Sequence, residues 1–164
     1  MQLPPYQNFP FLFTDKIVLR QVIVSDAKAI LDISFYDSKV ATSLEEAVEI
    51  QNKINLDYLN GNSIHWAIVD KSTNAIAGTL GYYRGFENGT GELGCVLKRE
   101  FYGKGFMTMA MKLVIEFGLN EIGLKNIVSV TSKDNLKAIQ LLKRLNFEII
   151  AIETNEIKFQ CKKF

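Results

Sequence analysis

The hydrophobic positions of this chain alternate between short apolar runs, which predict strands, and amphipathic runs, which predict helices. The predicted strands span residues 17–23, 65–70, 75–84, 91–98, 126–131, 147–153 and 156–162. The predicted helices span residues 26–36, 44–60, 105–122 and 136–145. This order predicts an α/β protein with a mixed, mostly antiparallel sheet flanked by helices.

Local signals mark several helix ends. Ser43 and Glu46 form an S-x-x-E capping box at the start of the second helix. Asn60 and Gly61 predict its end through a left-handed residue, and Asn146 predicts a similar stop after the last helix, because asparagine tolerates that conformation better than other non-glycine residues.

Length and composition are those of an ordinary globular protein. We expect the 164 residues, 1–164, to form a single domain. The formal net charge of +1 gives no basic field for nucleic acid. The N-terminus has no signal-peptide pattern, and no apolar run is long enough to span a membrane, so a cytoplasmic protein is expected.

Metal-binding and disulfide patterns are missing from the sequence. Cys95 and Cys161 lack C-x-x-C spacing, and His65 is the only histidine. We therefore expect two reduced thiols, no metal and no disulfide framework.

A strand runs through a glycine turn directly into a helix between Gly94 and Thr108. The first turn of a helix has unpaired N–H groups, and glycines let a phosphate approach them closely, so Gly103 and Gly105 are candidate phosphate-binding residues. The alternative is a plain strand-to-helix turn. Thr108 stands where a dinucleotide fingerprint needs its third glycine, and no P-loop is present, which favours another scheme of anion binding.

This turn resembles the pyrophosphate turn of the GNAT N-acetyltransferases, [Q/R]-x-x-G-x-[G/A]. Tyr102 and Met107 depart from the strict pattern. The run Tyr-Gly-Lys-Gly-Phe-Met-Thr-Met-Ala is similar to the W-G-K-G-Y-A-T-E-A turn of the ribosomal-protein N-terminal (alanine/serine) acetyltransferases. The resemblance covers roughly residues 9–152, and its other motifs are Leu19-Arg20, Asp26-Ala27, Trp66–Ile68, Ala77-Gly78 and Asn135–Phe147.

The resemblance implies a GNAT-like fold and acetyl-CoA as cosubstrate. The backbone of Cys95, Val96 and Leu97 is expected to pair with the pantetheine arm, and an N–H near Val96 or Leu97 to stabilise the oxyanion. The expected pyrophosphate contacts are Gly103, Lys104, Gly105, Phe106, Met107 and Thr108. Asn135 is expected to contact pantetheine, with a helix N-cap as its alternative, and Lys104 could equally be a solvated surface residue.

Acid and base residues depart from the family pattern. Leu142 stands where many members have a proton-donating tyrosine, and Ala138 stands where the ribosomal-protein branch often has serine. A thiol titrates near 8.5, so the thiolate can leave without a strong acid. Tyr82, Tyr83 or water could donate the proton, although strand packing is the alternative for both tyrosines.

The resemblance implies Glu92 as the base, because GNAT members often use a carboxylate on this strand; an exposed strand-edge charge is the alternative. His65 is a weaker candidate. Three glutamates on the second helix could border an acceptor cleft, or they could form a solvated helix face; they are Glu45, Glu46 and Glu49.

The predicted activity is acetyl transfer to a primary amine by direct attack in a ternary complex. The alternative is a CoA-binding module with little catalysis, because Ala138 and Leu142 replace the usual proton donors. The acceptor is a peptide N-terminus or a small amine; weak acid–base equipment favours the N-terminal amine, which titrates about 2.5 units below lysine. A homodimer is left open.

Overall fold

The computed structural model describes residues 1–37 and 39–162. The strands are β1 (Leu12–Phe13), β2 (Ile17–Gln21), β3 (Phe35–Tyr36), β4 (Lys39–Val40), β5 (Ile64–Asp70), β6 (Ile76–Tyr83), β7 (Thr90–Leu97), β8 (Asn126–Ser132), β9 (Phe147–Ile152) and β10 (Glu156–Cys161). The α-helices are α1 (Ala27–Ile30), α2 (Leu44–Leu59), α3 (Phe106–Phe117) and α4 (Leu136–Arg144).

The main sheet has eight strands in the order β1-β2-β5-β6-β7-β8-β10-β9. Each neighbouring pair is antiparallel except β7 and β8, which are parallel. The predicted mixed, mostly antiparallel sheet is confirmed. Strands β3 and β4 form a separate small hairpin.

The parallel pair β7–β8 is short. Its register runs from Thr90 opposite Asn126 to Glu92 opposite Val128 and stops there, although both strands continue. The two strands therefore diverge at the centre of the sheet, and beyond Glu92 the described residues give β7 only β6 as a partner.

The alternation along β5 divides the core between the two faces of the sheet. Trp66 and Ile68 share a buried cluster with Met111 and Val114 of α3. The intervening Ala67 packs on the opposite face in a cluster that includes residues of the α1 region. This alternation follows from the two-residue period of a strand.

The predicted helix over 26–36 is wrong beyond its first turns. A 3₁₀ turn at Val24–Asp26 leads into α1, a second 3₁₀ turn follows at Leu31–Ile33, and the chain then enters β3. The cause of the break is tertiary, because the Tyr36 hydroxyl donates a 2.8 Å hydrogen bond to Asp57 Oδ2 on α2, which fixes the hairpin against that helix.

The other helix limits follow the local signals closely. Ser43 Oγ accepts the Glu46 N–H at 3.2 Å, whereas the Glu46 carboxylate accepts from Thr42 and not from Ser43. Gly61 and Asn146 are left-handed, with φ of 79° and 60°. The helix predicted over 105–122 is α-helical to Phe117 and continues as a π-helical turn at Gly118–Ile122.

Candidate active site

A cavity of about 700 Å³ opens where β7 and β8 diverge. Its walls include Gly94 and Cys95 of β7, Ser129 and Thr131 of β8, and side chains from α2, β5 and α4. The cavity therefore extends from the gap between the strands to the face of the sheet covered by α2.

The edge of β7 that faces this gap has free hydrogen-bonding groups. Lys98 N–H donates to Ala77 O at 2.8 Å, and this bond identifies which opposite residues of β6 and β7 are hydrogen-bonded to each other. Because such pairs alternate along an antiparallel ladder, Val96 bonds to Thr79, and the N–H and C=O groups of Cys95 and Leu97 point into the gap. An extended chain can therefore pair with β7 there.

The glycine turn follows directly. Gly103 and Gly105 have φ of 76° and 78°, and a Cβ on either would meet no atom within 4 Å. Gly105 is the N-cap of α3 and provides no side-chain cap, so the first N–H groups of the helix are free to bind an anion. The side chains of Phe106 and Met107 are buried, so a ligand at the start of the helix would meet their backbone and not their side chains.

Two lysines lie over aromatic rings near this turn. Lys104 Nζ is 4.9 Å from the centroid of the Phe101 ring, and Lys137 Nζ is 4.4 Å from the centroid of the Tyr102 ring. The second contact joins the turn to the first helical residues of α4, which brings positive charge close to the glycine turn.

Asn135 has the cap role that the sequence left open. Its Oδ1 accepts the Ala138 N–H at 3.1 Å, so it is the N-cap of α4. The residue also lines the cavity, and its amide NH₂ group remains available to a ligand.

Glu92 lines the cavity and forms an ion pair with Arg84. The Glu92 side chain is about a quarter exposed, at 26%, whereas the Arg84 side chain is 64% exposed. The Glu92 carboxylate is thus accessible from the cavity, and it is paired with the more exposed Arg84 guanidinium.

Adjacent tyrosines on β6 have different surroundings. Tyr82 is fully buried, and its hydroxyl donates to Val114 O of α3 at 2.9 Å. Tyr83 lines the cavity, its ring centroid lies 5.6 Å from that of His65, and burial raises the pKa of its phenol. Tyr83 is therefore a neutral phenol at pH 7.

Cys95 and His65 are both uncharged in the cavity wall. Burial raises the pKa of the Cys95 thiol to about 12, and this thiol contacts Met111 Sδ at 3.9 Å. Burial lowers the pKa of His65 to about 4, so the imidazole is neutral at pH 7. His65 Nδ1 has no hydrogen-bond partner among the described residues.

Residues 16–148 match the sequence profile of the family described as "Acetyltransferase (GNAT) domain". The chain belongs to the GNAT family. It is 27% identical over 148 residues to the uncharacterized N-acetyltransferase YoaA of Bacillus subtilis, and this similarity covers 85% of the chain and 84% of YoaA.

Solved GNAT structures share this fold. The ribosomal-protein-S5-alanine acetyltransferase of Vibrio fischeri has a TM-score of 0.77 at 20% identity, covering 92% of this chain and 95% of that one. The ribosomal L7/L12 α-N-protein acetyltransferase RimL, in complex with coenzyme A, has a TM-score of 0.79 at 17% identity, covering 90% and 94%. The chain is thus a GNAT N-acetyltransferase.

Of the two accounts of the glutamates on α2, the solvated helix face agrees with the structure and the border of the acceptor cleft does not. None of the three glutamates on the first half of α2, Glu45, Glu46 and Glu49, lines the cavity. The carboxylates that line it beside Glu92 are Asp37, Asp57 and Glu87. These residues come from a hairpin turn, a helix and a 3₁₀ turn, so no local sequence signal joins them.

The described ranges contain neither a metal-binding cluster nor a membrane-spanning helix. Within residues 1–37 and 39–162, no group of three or more His, Cys, Asp or Glu side chains is arranged to hold a metal ion. No helix in this part of the chain is long and apolar enough to cross a membrane.

Proposed function

We propose that the chain transfers acetyl from acetyl-CoA to a primary amine by direct attack in a ternary complex. The observation that carries this proposal is the free edge of β7 at Cys95 and Leu97, which leads to the uncapped start of α3 at Gly105. An extended pantetheine arm suits the edge, and a pyrophosphate suits the helix start.

The polar groups around the gap suit the steps of this reaction. Glu92 accepts the proton that the amine loses as its nitrogen attacks the thioester carbonyl. The Leu97 N–H points into the gap, unlike that of Val96, and is the better oxyanion donor. When the C–S bond breaks, the thiolate takes a proton from the Tyr83 phenol, and the proton that Glu92 accepted from the amine restores that phenol, since Tyr83 and Glu92 lie opposite each other on β6 and β7. Asn135 and Lys104 assist binding of the cosubstrate.

The acceptor that we propose is a chain N-terminal amine. Such an amine titrates near 7.7–8.0 and lysine near 10.4, so obtaining the neutral nucleophile at pH 7 costs about 3.4 kcal/mol less. Ala138 and Leu142 line the cavity and provide no acid or base, which makes the more acidic ammonium the better substrate. The same two residues favour the second candidate, a CoA-binding protein of this fold with little catalysis.

One screen separates these candidates. Acetyl-CoA consumption is measured with a panel of small amines and with paired peptides that carry either a free N-terminus with blocked lysine or the reverse. Mass spectrometry then maps the acetyl group. Acetylation of N-termini is expected. Acetylation of lysine alone would refute the choice of acceptor, and tight CoA binding without turnover on any amine would favour the binding protein.

The state of the two cysteines bears on the compartment in which the enzyme works. Cys95 and Cys161 are both free thiols, which suits a reducing compartment, and we include a cytoplasmic location in the proposal.

A further inference from the structure

The acceptor side of the cavity is acidic. Four carboxylates line it, Asp37, Asp57, Glu87 and Glu92, and Arg84 is the single Lys or Arg among the lining residues that the structure describes. Arg84 pairs with Glu92, whereas no ion pair within residues 1–37 and 39–162 involves the other three carboxylates. The excess of negative charge attracts cations to this end.

The deeper wall holds two buried polar atoms without partners. Gln51 is 2% exposed and His65 is 7% exposed, and both line the cavity. Gln51 Oε1 and His65 Nδ1 are the buried side-chain polar atoms that lack a hydrogen-bond partner in the described parts of the chain. Such atoms are costly unless a ligand or water satisfies them.

Neighbouring groups fix the orientation of the Gln51 amide. Gln51 Nε2 donates to Val22 O at 3.3 Å and to Asn55 Oδ1 at 3.0 Å, so the amide cannot be turned round and Oε1 remains an acceptor. A neutral imidazole also accepts at one nitrogen. The wall therefore favours a ligand that is rich in N–H donors.

A hydrogen bond fixes the side chain of Asp57, which also lines the cavity. Its Oδ2 accepts the Tyr36 hydroxyl at 2.8 Å, which fixes the carboxylate on α2. Asp37 follows Tyr36 in the chain, and Glu87 lines the cavity from the turn before β7. Carboxylates from separate segments thus line one cavity.

We propose that the acceptor carries a second cationic nitrogen beside the primary amine that is acetylated, and that this nitrogen binds between the carboxylates and the unpaired acceptor of Gln51. This specificity rests on the proposed function for the acetylation of an amine in this cavity. Two sources have this chemistry: a small diamine, and a peptide whose second residue is basic.

Binding decides the proposal without turnover. Calorimetry in the presence of CoA compares 1,4-diaminobutane with 1-aminobutane, and the peptide Ala-Arg-Ala-Ala with Ala-Gln-Ala-Ala. In at least one pair the dication is expected to bind about 10-fold more tightly at low salt, with the difference shrinking at high salt. The pair that shows the preference identifies the source. Equal affinities within both pairs would overturn the proposal.

Variants locate the cation. Asp57→Asn is expected to reduce the preference about 5-fold, and Glu49→Gln, which removes an exposed charge from the same helix outside the cavity, is expected to leave it unchanged. Equal loss in both variants would overturn the assigned location. Gln51→Leu removes the unpaired acceptor and is also expected to reduce the preference for the dication. Thermal melting checks that this variant is folded. CoA binding and acetyl transfer are measured separately, so a failure of the proposed function is recognised independently of this preference.

Discussion

The Tyr82 hydroxyl donates a 2.9 Å hydrogen bond to the main-chain carbonyl of Val114, across the buried interface between β6 and α3. Tyr82 lies on the face of the sheet that packs against α3, away from α2, and its hydroxyl proton is used in this bond. The next residue, Tyr83, lines the cavity instead. Neighbouring tyrosines therefore have separate roles, one in stability and one near the chemistry.

Phenylalanine at each position separates these roles. Tyr82→Phe is expected to lower the free energy of unfolding by about 1 kcal/mol with unchanged turnover, because a buried carbonyl loses a donor. Tyr83→Phe is expected to lower turnover about 10-fold with little change in stability, because the thiolate loses its proton donor. Urea unfolding and steady-state kinetics measure both. Equal turnover in the two variants would exclude Tyr83 as the donor.

Gly105→Glu is expected to abolish acetyl-CoA binding in a folded protein, because the new side chain and its charge occupy the position of the pyrophosphate. Gly123→Glu is the matched control. Gly123 has the same φ of 78°, and its Cβ would meet only Met1 Cα at 3.7 Å, so both variants have similar backbone strain. Calorimetry should show binding in the control alone; binding in the folded Gly105→Glu variant would contradict the assigned phosphate site.

Glu92→Gln is expected to lower turnover about 10-fold or more while the affinity for acetyl-CoA stays the same, since a base acts in the chemical step. Arg84→Gln is the comparison, because it removes the partner of Glu92 but leaves the carboxylate. Parental turnover in Glu92→Gln, together with an unchanged pH profile, would show that the carboxylate only pairs with Arg84.

His65 predicts a pH dependence of stability. Its folded pKa of about 4 lies below the ordinary value of 6.5, so the unfolded chain binds the proton more readily between these values. The contribution of neutral His65 to the free energy of unfolding is therefore complete above pH 6.5. This contribution decreases by about 3 kcal/mol as the pH falls towards 4. Urea unfolding at pH 7 and at pH 4.5 measures this difference in the free energy of unfolding, and the difference should be smaller in His65→Phe by the contribution of His65.

Proton NMR gives an independent measurement, because the chain has one histidine. Its imidazole resonance should titrate near pH 4 in the native protein and near 6.5 in urea. Native titration near 6.5 would refute the burial of the ring.

The sequence alone determined the position of the glycine turn, the limits of α2 to within one residue, and seven strands, which are β2, β5, β6, β7, β8, β9 and β10. It did not predict the two-residue strands β1, β3 and β4. The predicted features depend on short-range causes: a two-residue or 3.6-residue period, the Ser43 cap, and the left-handed residues Gly61 and Asn146. The family motifs likewise lie in continuous stretches, so the candidate cosubstrate residues could be named without a structure.

Only the tertiary structure decided which residues share the acceptor side. The helix predicted over 26–36 gave way to a hairpin because Tyr36 bonds to Asp57, a contact between residues 21 positions apart. The same contact brings carboxylates of separate segments to one cavity, while the glutamates at the start of α2 lie outside it. Burial of His65 and the divergence of β7 from β8 are likewise long-range outcomes, since they depend on packing and pairing that no local pattern encodes.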